Sequence, residues 1–291
     1  MKTAVIIPTY NESDNIESLA KEILALRLGP STTLRPSLRP SLRPCSGQAS
    51  GQASGQGSGR ASGGTSGQAL DDITEIIIVD DNSPDGTGEI ADELATVYGG
   101  IKVIHRPAKL GLGTAHIAGF QEALASGAER IVTMDADFSH HPRYIPDLLA
   151  GSQDAQLVIG SRYVDGGGTV NWGLQRQILS KGANTFARLV LGLKAHDCTA
   201  GFRCYRREVL ESIELDEIFS DGYSFLIEML YRCQRRGWRI GEVPIIFEDR
   251  RHGASKISRR EIFKALYTVL CLGWKSIFSD VSFSCPRSHP R

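Results

Sequence analysis

Short apolar runs alternate along this chain with stretches in which apolar residues recur every three or four positions. Residues 3–8, 75–80 ("EIIIVD"), 101–105 and 130–134 are compact apolar runs of strand length, and 156–160 and 240–247 continue the series. Between the first two, Ile16, Leu19, Ala20, Ile23 and Leu24 keep helical spacing, and Asp14 with Glu17 resembles a capping box. Ile90, Leu94 and Val97 predict a second helix, residues 113–126 a third, and "YSFLIEMLYRCQRRG" at 223–237 another. A β-α-β-α order with strands apolar on both faces predicts an α/β fold with a mostly parallel central sheet flanked by helices. Ligands of such sheets bind at the carboxyl ends of the strands.

Two segments break the alternation. Residues 31–69 run from "LRPSLRPSLRPC" into tetrads built on Ser-Gly. Ser, Gly and Gln bury too little apolar area to offset the roughly 1–2 kcal/mol per residue of backbone ordering. A disordered insertion is expected there, a surface-loop expansion rather than a repeat fold. The stretch "IFKALYTVLCLGWKSIF" at 262–278 is interrupted by Lys264 and Lys275. It predicts an amphipathic helix over 257–278, with Leu266, Leu270, Trp274 and Phe278 on one side, rather than a membrane span. The end, 279–291, is expected to be irregular. The opening "MKTAVIIPTYNE" turns polar too soon for a signal peptide and reads as a first strand.

The 291 residues, 41% of them hydrophobic, suffice for one large domain or two small ones. Formal net charge is zero, so nothing draws the whole chain to nucleic acid, and no nucleic-acid partner is expected. Six scattered cysteines without a CxxC pair lack metal-finger spacing and suit a reducing compartment.

The chemistry gathers at strand ends. "IVTMDADFSHHP" at 131–142 takes an apolar strand into Asp135 and Asp137, one residue apart. Neighbouring carboxylates repel unless a cation lies between them, and Mg²⁺ or Mn²⁺ with diphosphate oxygens suits such a pair. Helix capping and solvation are the competing roles for a bare DxD. His140 and His141 are expected to pack or start a helix, because hard cations prefer oxygen. "VDDNSPDGTGEIADEL" ends a strand at Asp80, placed to accept from a base or ribose, whereas Asp81 and Asp85 are expected to serve the turn and cap. In "PTYNE", Pro8 ends the first strand, Tyr10 is placed to stack at a nucleotide, and Glu12 to accept from a sugar or base edge. A cationic set follows: Arg162, then Arg176 and Lys181, then Arg250, Arg251, Lys256, Arg259 and Arg260. Arginine forks and lysine charges are what phosphate recognition requires, although Arg259 and Arg260 also fit a solvated face. No nucleophile elbow supports a hydrolase, and no GxGxxG after the first strand supports a dehydrogenase.

With these residues in hand, the chain resembles the dolichol-phosphate mannose synthases, family-2 glycosyltransferases of GT-A fold. The matching stretches include "IPTYNESDNI", "IIIVDDNSPDGT", "RPAKLGLGTAHIAG", "MDADFSHHP", "GSRYVDGGG", "NWGLQRQILSKGAN", "DCTAGFRCYRREVL" and "GEVPIIFEDRRHGASK". The resemblance implies one GT-A (nucleotide-diphospho-sugar transferase) catalytic domain from 1–30 and 70–256. It implies transfer of mannose from GDP-mannose to dolichyl phosphate, with inversion at the sugar. It places donor contacts at Pro8, Tyr10, Glu12, Ile78, Asp80, Asp135, Ala136, Asp137, Arg162, Arg250 and Lys256. The metal falls on Asp135 and Asp137, and the acceptor phosphate on Arg162 and Arg176, so that Asp137, Arg162 and Arg176 carry catalysis. A peripheral location on the cytoplasmic face of the endoplasmic reticulum, with small membrane-anchoring subunits, is implied as well. Asn82 stands where the family usually has Gly and is expected to hold a left-handed turn; "TAGFR" replaces the more usual "TGSFR". A UDP-glucose-dependent transferase of the same plan and a non-catalytic nucleotide- or lipid-phosphate-binding subunit are the alternatives.

Overall fold

The structure, a computed structural model, describes residues 1–27, 73–249 and 259–277. The expectations for 31–69, 279–291, Phe278, Arg250, Arg251 and Lys256 lie outside the described residues. In chain order the elements are β1 (Thr3–Thr9), α1 (Ile16–Arg27), β2 (Ile73–Asp80), α2 (Thr87–Val97), β3 (Ile101–His105), α3 (Leu112–Ala125) and β4 (Arg130–Thr133). Then come α4 (Ile145–Gly151), β5 (Leu157–Ser161), β6 (Gly168–Val170), α5 (Leu174–Leu191), β7 (Arg203–Arg206) and α6 (Arg207–Glu211). The last are α7 (Tyr223–Arg235), β8 (Ile240–Pro244), β9 (Ile246–Glu248) and α8 (Arg259–Ile277).

Seven strands form one sheet in the order β3-β2-β1-β4-β7-β5-β8. β1 runs parallel to β2 and β4, β2 to β3, and β5 to β8. β7 is antiparallel to both its neighbours, β4 and β5. The mostly parallel α/β sheet expected from the strand pattern is present, flanked by helices on both faces. Alternation along β1 sets the two layers: Ala4 and Ile6 face Phe120 and Phe225, while Val5 and Ile7 face Leu19, Ile23 and Leu148. All are buried, which is why β1 reads as an unbroken apolar run.

Some boundaries differ from the expected ones. The run 240–247 divides at Ile245: β8 joins the main sheet, and β9 pairs with β6 in a separate two-stranded ribbon. Ile245 makes the transfer, donating its N–H to the Ser161 carbonyl and accepting from Gly168 N, both at 3.0 Å. α1 begins one residue later than an Asp14–Glu17 box requires. The Asn15 and Ile16 amides instead donate to the Glu12 carbonyl, both at 2.9 Å. Buried Cys198, Cys204 and Cys233 act as small apolar side chains, their thiols pushed up to about 12, chiefly by burial. Among the described residues, no helix is long and apolar enough to cross a membrane.

α3 lies close on β1 because Gly119 has no side chain: a Cβ there would meet Ile6 Cγ2 at 2.5 Å. Two effects therefore oppose each other in Gly119→Ala. Helix propensity gains about 1 kcal/mol, while overpacking against an immobile core residue costs about 1–3 kcal/mol. Net destabilisation is expected in urea denaturation; a variant more stable than the parent would show that α3 can lift off the sheet at little cost.

Candidate active site

Three parallel strands end side by side, and each is followed by a residue in the left-handed region: Asn11 (φ 60) after β1, Asn82 (φ 56) after β2 and Phe138 (φ 61) after β4. Asn tolerates this backbone, so the turn at Asn82 forms without the usual Gly. Phe tolerates it less readily. It is held by Asp137, whose Oδ1 accepts from Ser139 N at 3.0 Å and Ser139 Oγ at 2.5 Å. The first two loops are stitched together. Amides of Asn11, Glu12 and Ser13 donate to Ser83 Oγ, Thr87 Oγ1 and Asp85 Oδ2 at 3.1, 2.9 and 3.1 Å. Asp85 also accepts from Thr87 N and Oγ1, the capping role its position suggested.

These strand ends open into a cavity of about 930 Å³. Pro8, Tyr10, Glu12, Asp135, Ala136, Asp137, Arg162 and Arg176 all line it, so residues far apart in sequence meet at one place. Ile78 and Asp80 do not line it. Ile78 is core, and the Asp80 carboxylate accepts from Ser83 N (3.1 Å), Ser83 Oγ (2.5 Å) and Thr9 Oγ1 (3.3 Å), organising the turn behind the cavity wall. The neighbouring Asp81, read from sequence as a turn residue, lines the cavity instead. It pairs with the buried Arg106 and accepts from Gly111 N at 3.2 Å. Burial pushes its carboxyl above the ordinary value even beside that guanidinium. Lys109 lies 3.7 Å over the Tyr10 ring at the cavity edge. His140 is buried, stacks on Phe202 and accepts from Asp135 N at 3.1 Å, while His141 caps the short turn at Pro142–Tyr144. Both fill the packing and helix-start roles expected of them.

Arg162 is the most constrained cation of the site. Its Nε and Nη2 donate to the two Asp197 carboxylate oxygens, both at 2.7 Å, and Nη2 also donates to Thr199 Oγ1 at 2.8 Å. Burial opposes charge on both partners, but mutual attraction and these hydrogen bonds outweigh it, raising Arg162 and lowering Asp197 from their ordinary values. Arg176 stacks on Trp172, 4.1 Å from the ring centroid, and its Nη1 donates to Asp249 at 2.7 Å. Its Nε is buried with no hydrogen-bond partner, a donor with capacity for an anion. Part of the lining is apolar: Ile178, Leu179 and Phe186 of α5 and Ala265, Leu266 and Val269 of α8. The sequence predicted α8 as an amphipathic helix but not as a wall of this cavity, predicted no helix at α5, and did not single out Asp197, which holds Arg162, or Trp172 and Phe247, which line the space.

Among the described residues, no cluster of three His, Cys, Asp or Glu side chains could hold a metal by itself. Asp135 and Asp137 supply two hard oxygen donors at a cavity wall. That set fits a divalent cation completed by diphosphate oxygens and water, the usual pattern for Mg²⁺.

The sheet order, the acidic strand ends and the shared cavity define a GT-A glycosyltransferase architecture. Solved structures of glucosyl-3-phosphoglycerate synthase from Mycobacterium tuberculosis share the fold. The complex with phosphoglyceric acid superposes with a TM-score of 0.59 at 19% identity over 94% of this chain and 80% of that one. The complex with Mn²⁺, uridine diphosphate and glucosyl-3-phosphoglycerate gives 0.56 at 20%, over the same shares of each chain. The chain belongs to glycosyl transferase family 2, whose model matches residues 67–214, and is a glycosyltransferase. It is 49% identical over 196 residues to the polyprenol monophosphomannose synthase of Mycolicibacterium smegmatis, covering 67% of this chain and 74% of that one. It is 46% identical to the undecaprenyl-phosphate mannosyltransferase of Micrococcus luteus, covering 67% and 81%. Both organisms are bacteria, which argues against the endoplasmic reticulum expected from the resemblance.

Asp197→Ala would leave Arg162 a buried charge without its counter-ion, at a cost of about 3–5 kcal/mol in urea denaturation. A loss within the roughly 1 kcal/mol of an exposed pair would contradict this account. The depressed Asp197 carboxyl also fixes a sign: its contribution is complete above the ordinary carboxylate range, about pH 4. It is lost as pH falls through the lowered value. Acid unfolding of the parent should accordingly be steeper below that range than acid unfolding of the variant.

Proposed function

We propose that this glycosyltransferase moves mannose from GDP-mannose to a polyprenyl phosphate, the lipid class that includes dolichyl phosphate. The observation that carries the reading is the composition of one cavity. Asp135, Asp137, Arg162 and Arg176 line it together with apolar side chains of α5 and α8, Ile178, Leu179, Phe186, Leu266 and Val269. A phosphate joined to a prenyl chain needs such a junction, and so does a reaction in which that phosphate meets a nucleotide sugar. The mannosyl lipids named for the two relatives support the choice of sugar and acceptor.

The acceptor is already an anion at neutral pH, so it attacks without a general base. One of its phosphate oxygens forms the new bond to the anomeric carbon. The bond from that carbon to the GDP β-phosphate oxygen breaks, and the electron pair leaves with GDP. Direct displacement inverts the α-mannoside of the donor to a β-mannosyl phosphate. Asp135 and Asp137 would hold Mg²⁺ or Mn²⁺, which when bound offsets the charge of the leaving diphosphate. Arg162, locked by Asp197, presents a fixed positive charge that needs no reorientation as charge develops. Arg176, with its unpartnered Nε, orients the acceptor phosphate against the repulsion of the donor. Tyr10 and Glu12, which line the same cavity, are proposed as donor contacts. Arg250 and Lys256, outside the described residues, are proposed as further donor contacts.

The exposed apolar residues of α8, Phe263, Tyr267, Leu270 and Trp274, and of α5, Leu174, Ile178, Leu179 and Leu189, form the face by which the enzyme is proposed to rest on the bilayer holding its acceptor. α8 buries Thr268, Val269 and Leu272 on its other side, so this helix both packs on the domain and exposes apolar surface. Any small anchoring subunit would add to this attachment.

A donor panel with polyprenyl phosphate tests the assignment. Transfer from GDP-mannose is expected to exceed transfer from UDP-glucose and to stop on chelation; preference for UDP-glucose would replace the sugar assignment. Asp137→Asn should lower kcat by about 100- to 1,000-fold, the scale of losing one charge-stabilising group, while the variant still folds and unfolds cooperatively, because the Asn amide oxygen can still accept from Ser139. A near-normal rate would remove the metal role. Arg176→Ala should raise KM for the lipid phosphate and leave GDP-mannose affinity intact; equal loss of both would reassign the residue to the donor.

A further inference from the structure

A second cavity, of about 570 Å³, lies on the other side of Arg162 and Trp172, which line both spaces. Its walls are the loop 163–169 and one stripe of α5: Gln177, Lys181, Asn184 and Arg188, spaced i, i+4, i+7 and i+11. The charges around it are not balanced. Arg162 is compensated by Asp197, and His196 bonds to Glu242. The side chains of Lys181 and Arg188 have no hydrogen bond or ion pair among the described residues, and Arg188 Nε is buried without a partner. Asp165, on the opposite loop, is the acid that lines the space.

We infer that this second cavity binds the phosphate headgroup of an anionic membrane phospholipid, with Lys181 and Arg188 as its cationic contacts. The inference rests on the bilayer-facing role of α5 proposed above. What favours a lipid over a free phosphate is the adjoining stripe of the same helix. Leu174, Ile178 and Leu189, exposed by 72%, 62% and 78%, lie next to the cationic stripe around the helix. A helix lying in the interface with those side chains among the acyl chains places the adjoining lysine and arginine at phosphate depth. The cavity is also several times larger than a phosphate ion, with room for the polar group that a headgroup phosphate carries. Asn184 and Gln177 are engaged with the local backbone, holding the stripe and the loop in place around the space.

The test is co-sedimentation of the full chain with phosphatidylcholine vesicles, with and without added phosphatidylglycerol. Phosphatidylglycerol should tighten binding of the parent. Lys181→Gln with Arg188→Gln should remove that gain, weakening the interaction by about fivefold per charge while leaving phosphatidylcholine binding unchanged. Lys21→Gln with Lys102→Gln, which removes charges away from α5, should leave the gain in place. Arg188→Gln alone should keep the parent rate of transfer to a short-chain polyprenyl phosphate in detergent. An undiminished gain in the α5 double variant would overturn the site, and so would an equal loss in the control pair. Competition by inorganic phosphate that abolishes the gain would replace the headgroup with a free anion. Failure of the parent to bind any vesicle would instead overturn the bilayer-facing reading; Ile178→Ser with Leu189→Ser should weaken binding to both vesicle types if that reading stands.

Discussion

The buried pair of Arg162 and Asp197 is the interaction on which the site depends. It ties the end of β5 to the loop that precedes β7, two segments that the sheet brings together but does not itself bond at this point. A guanidinium with so little exposure persists only if its charge is answered and its donors are used. Asp197 answers the charge, Thr199 takes a further donor, and Glu242 holds the Asp197 and His196 amides from β8. The result is a cation whose direction is set by folding and not by ligand. Arg162 lines both cavities, so the same fixed charge bounds the candidate active site and its neighbour.

Such rigidity at Arg162 contrasts with the means by which the strand ends are shaped. Asn11, Asn82 and Phe138 spend backbone strain to turn the chain sharply after β1, β2 and β4. The side chains that hold these turns are acids and hydroxyls: Asp80 with Ser83, Asp85 with Thr87, Asp137 with Ser139. A strand-end carboxylate in this fold therefore braces a turn, faces the cavity or, as Asp137 does, does both. Asp80 braces and its neighbour Asp81 faces, although the sequence offers the same residue type at both positions.

That ambiguity marks where the sequence stops being legible. The strands β1, β2, β4 and β5 were visible because burial on both faces favours near-continuous apolar runs, whereas β3, at the sheet edge with Lys102 and His105 exposed, showed only through Ile101, Val103 and Ile104. β7 was not, since two of its four residues are arginines. Arg203 is buried and spends its donors on the carbonyls of Cys198, Ala200 and Leu226. Arg206 donates to those of Ser152 and Gln153. Backbone acceptors supplied by tertiary structure make a charged strand affordable, and no local pattern announces them. The cavity residues Pro8, Tyr10, Glu12, Asp135, Asp137 and Arg162 were legible as motifs, because each sits at or just beyond a recognisable strand, and Arg176 was legible only through the cationic set and the resemblance. Asp197 stood in plain sight in "DCTAGFR", but its role depends on a partner 35 positions away.

α5 shows the same limit from the other side. Its residues are amphipathic in three directions: Ala187 and Leu191 pack inward, Gln177, Lys181, Asn184 and Arg188 line the second cavity, and Leu174, Ile178 and Leu189 are exposed. A two-faced helix shows one apolar stripe against one polar stripe, and periodicity detects it. Three faces blur that contrast, so the segment entered only as the stretch "NWGLQRQILSKGAN" of the resemblance and not as an element. The blur has a physical meaning. A helix that borders the domain core, a polar cavity and an apolar outer surface is what a catalyst needs where a charged headgroup must enter water-excluded chemistry while its chain stays in the bilayer. The exposed leucines and isoleucine would be a liability on a protein that met only water. Beside an unpaired lysine and arginine, they are consistent with a boundary where apolar chains give way to phosphates.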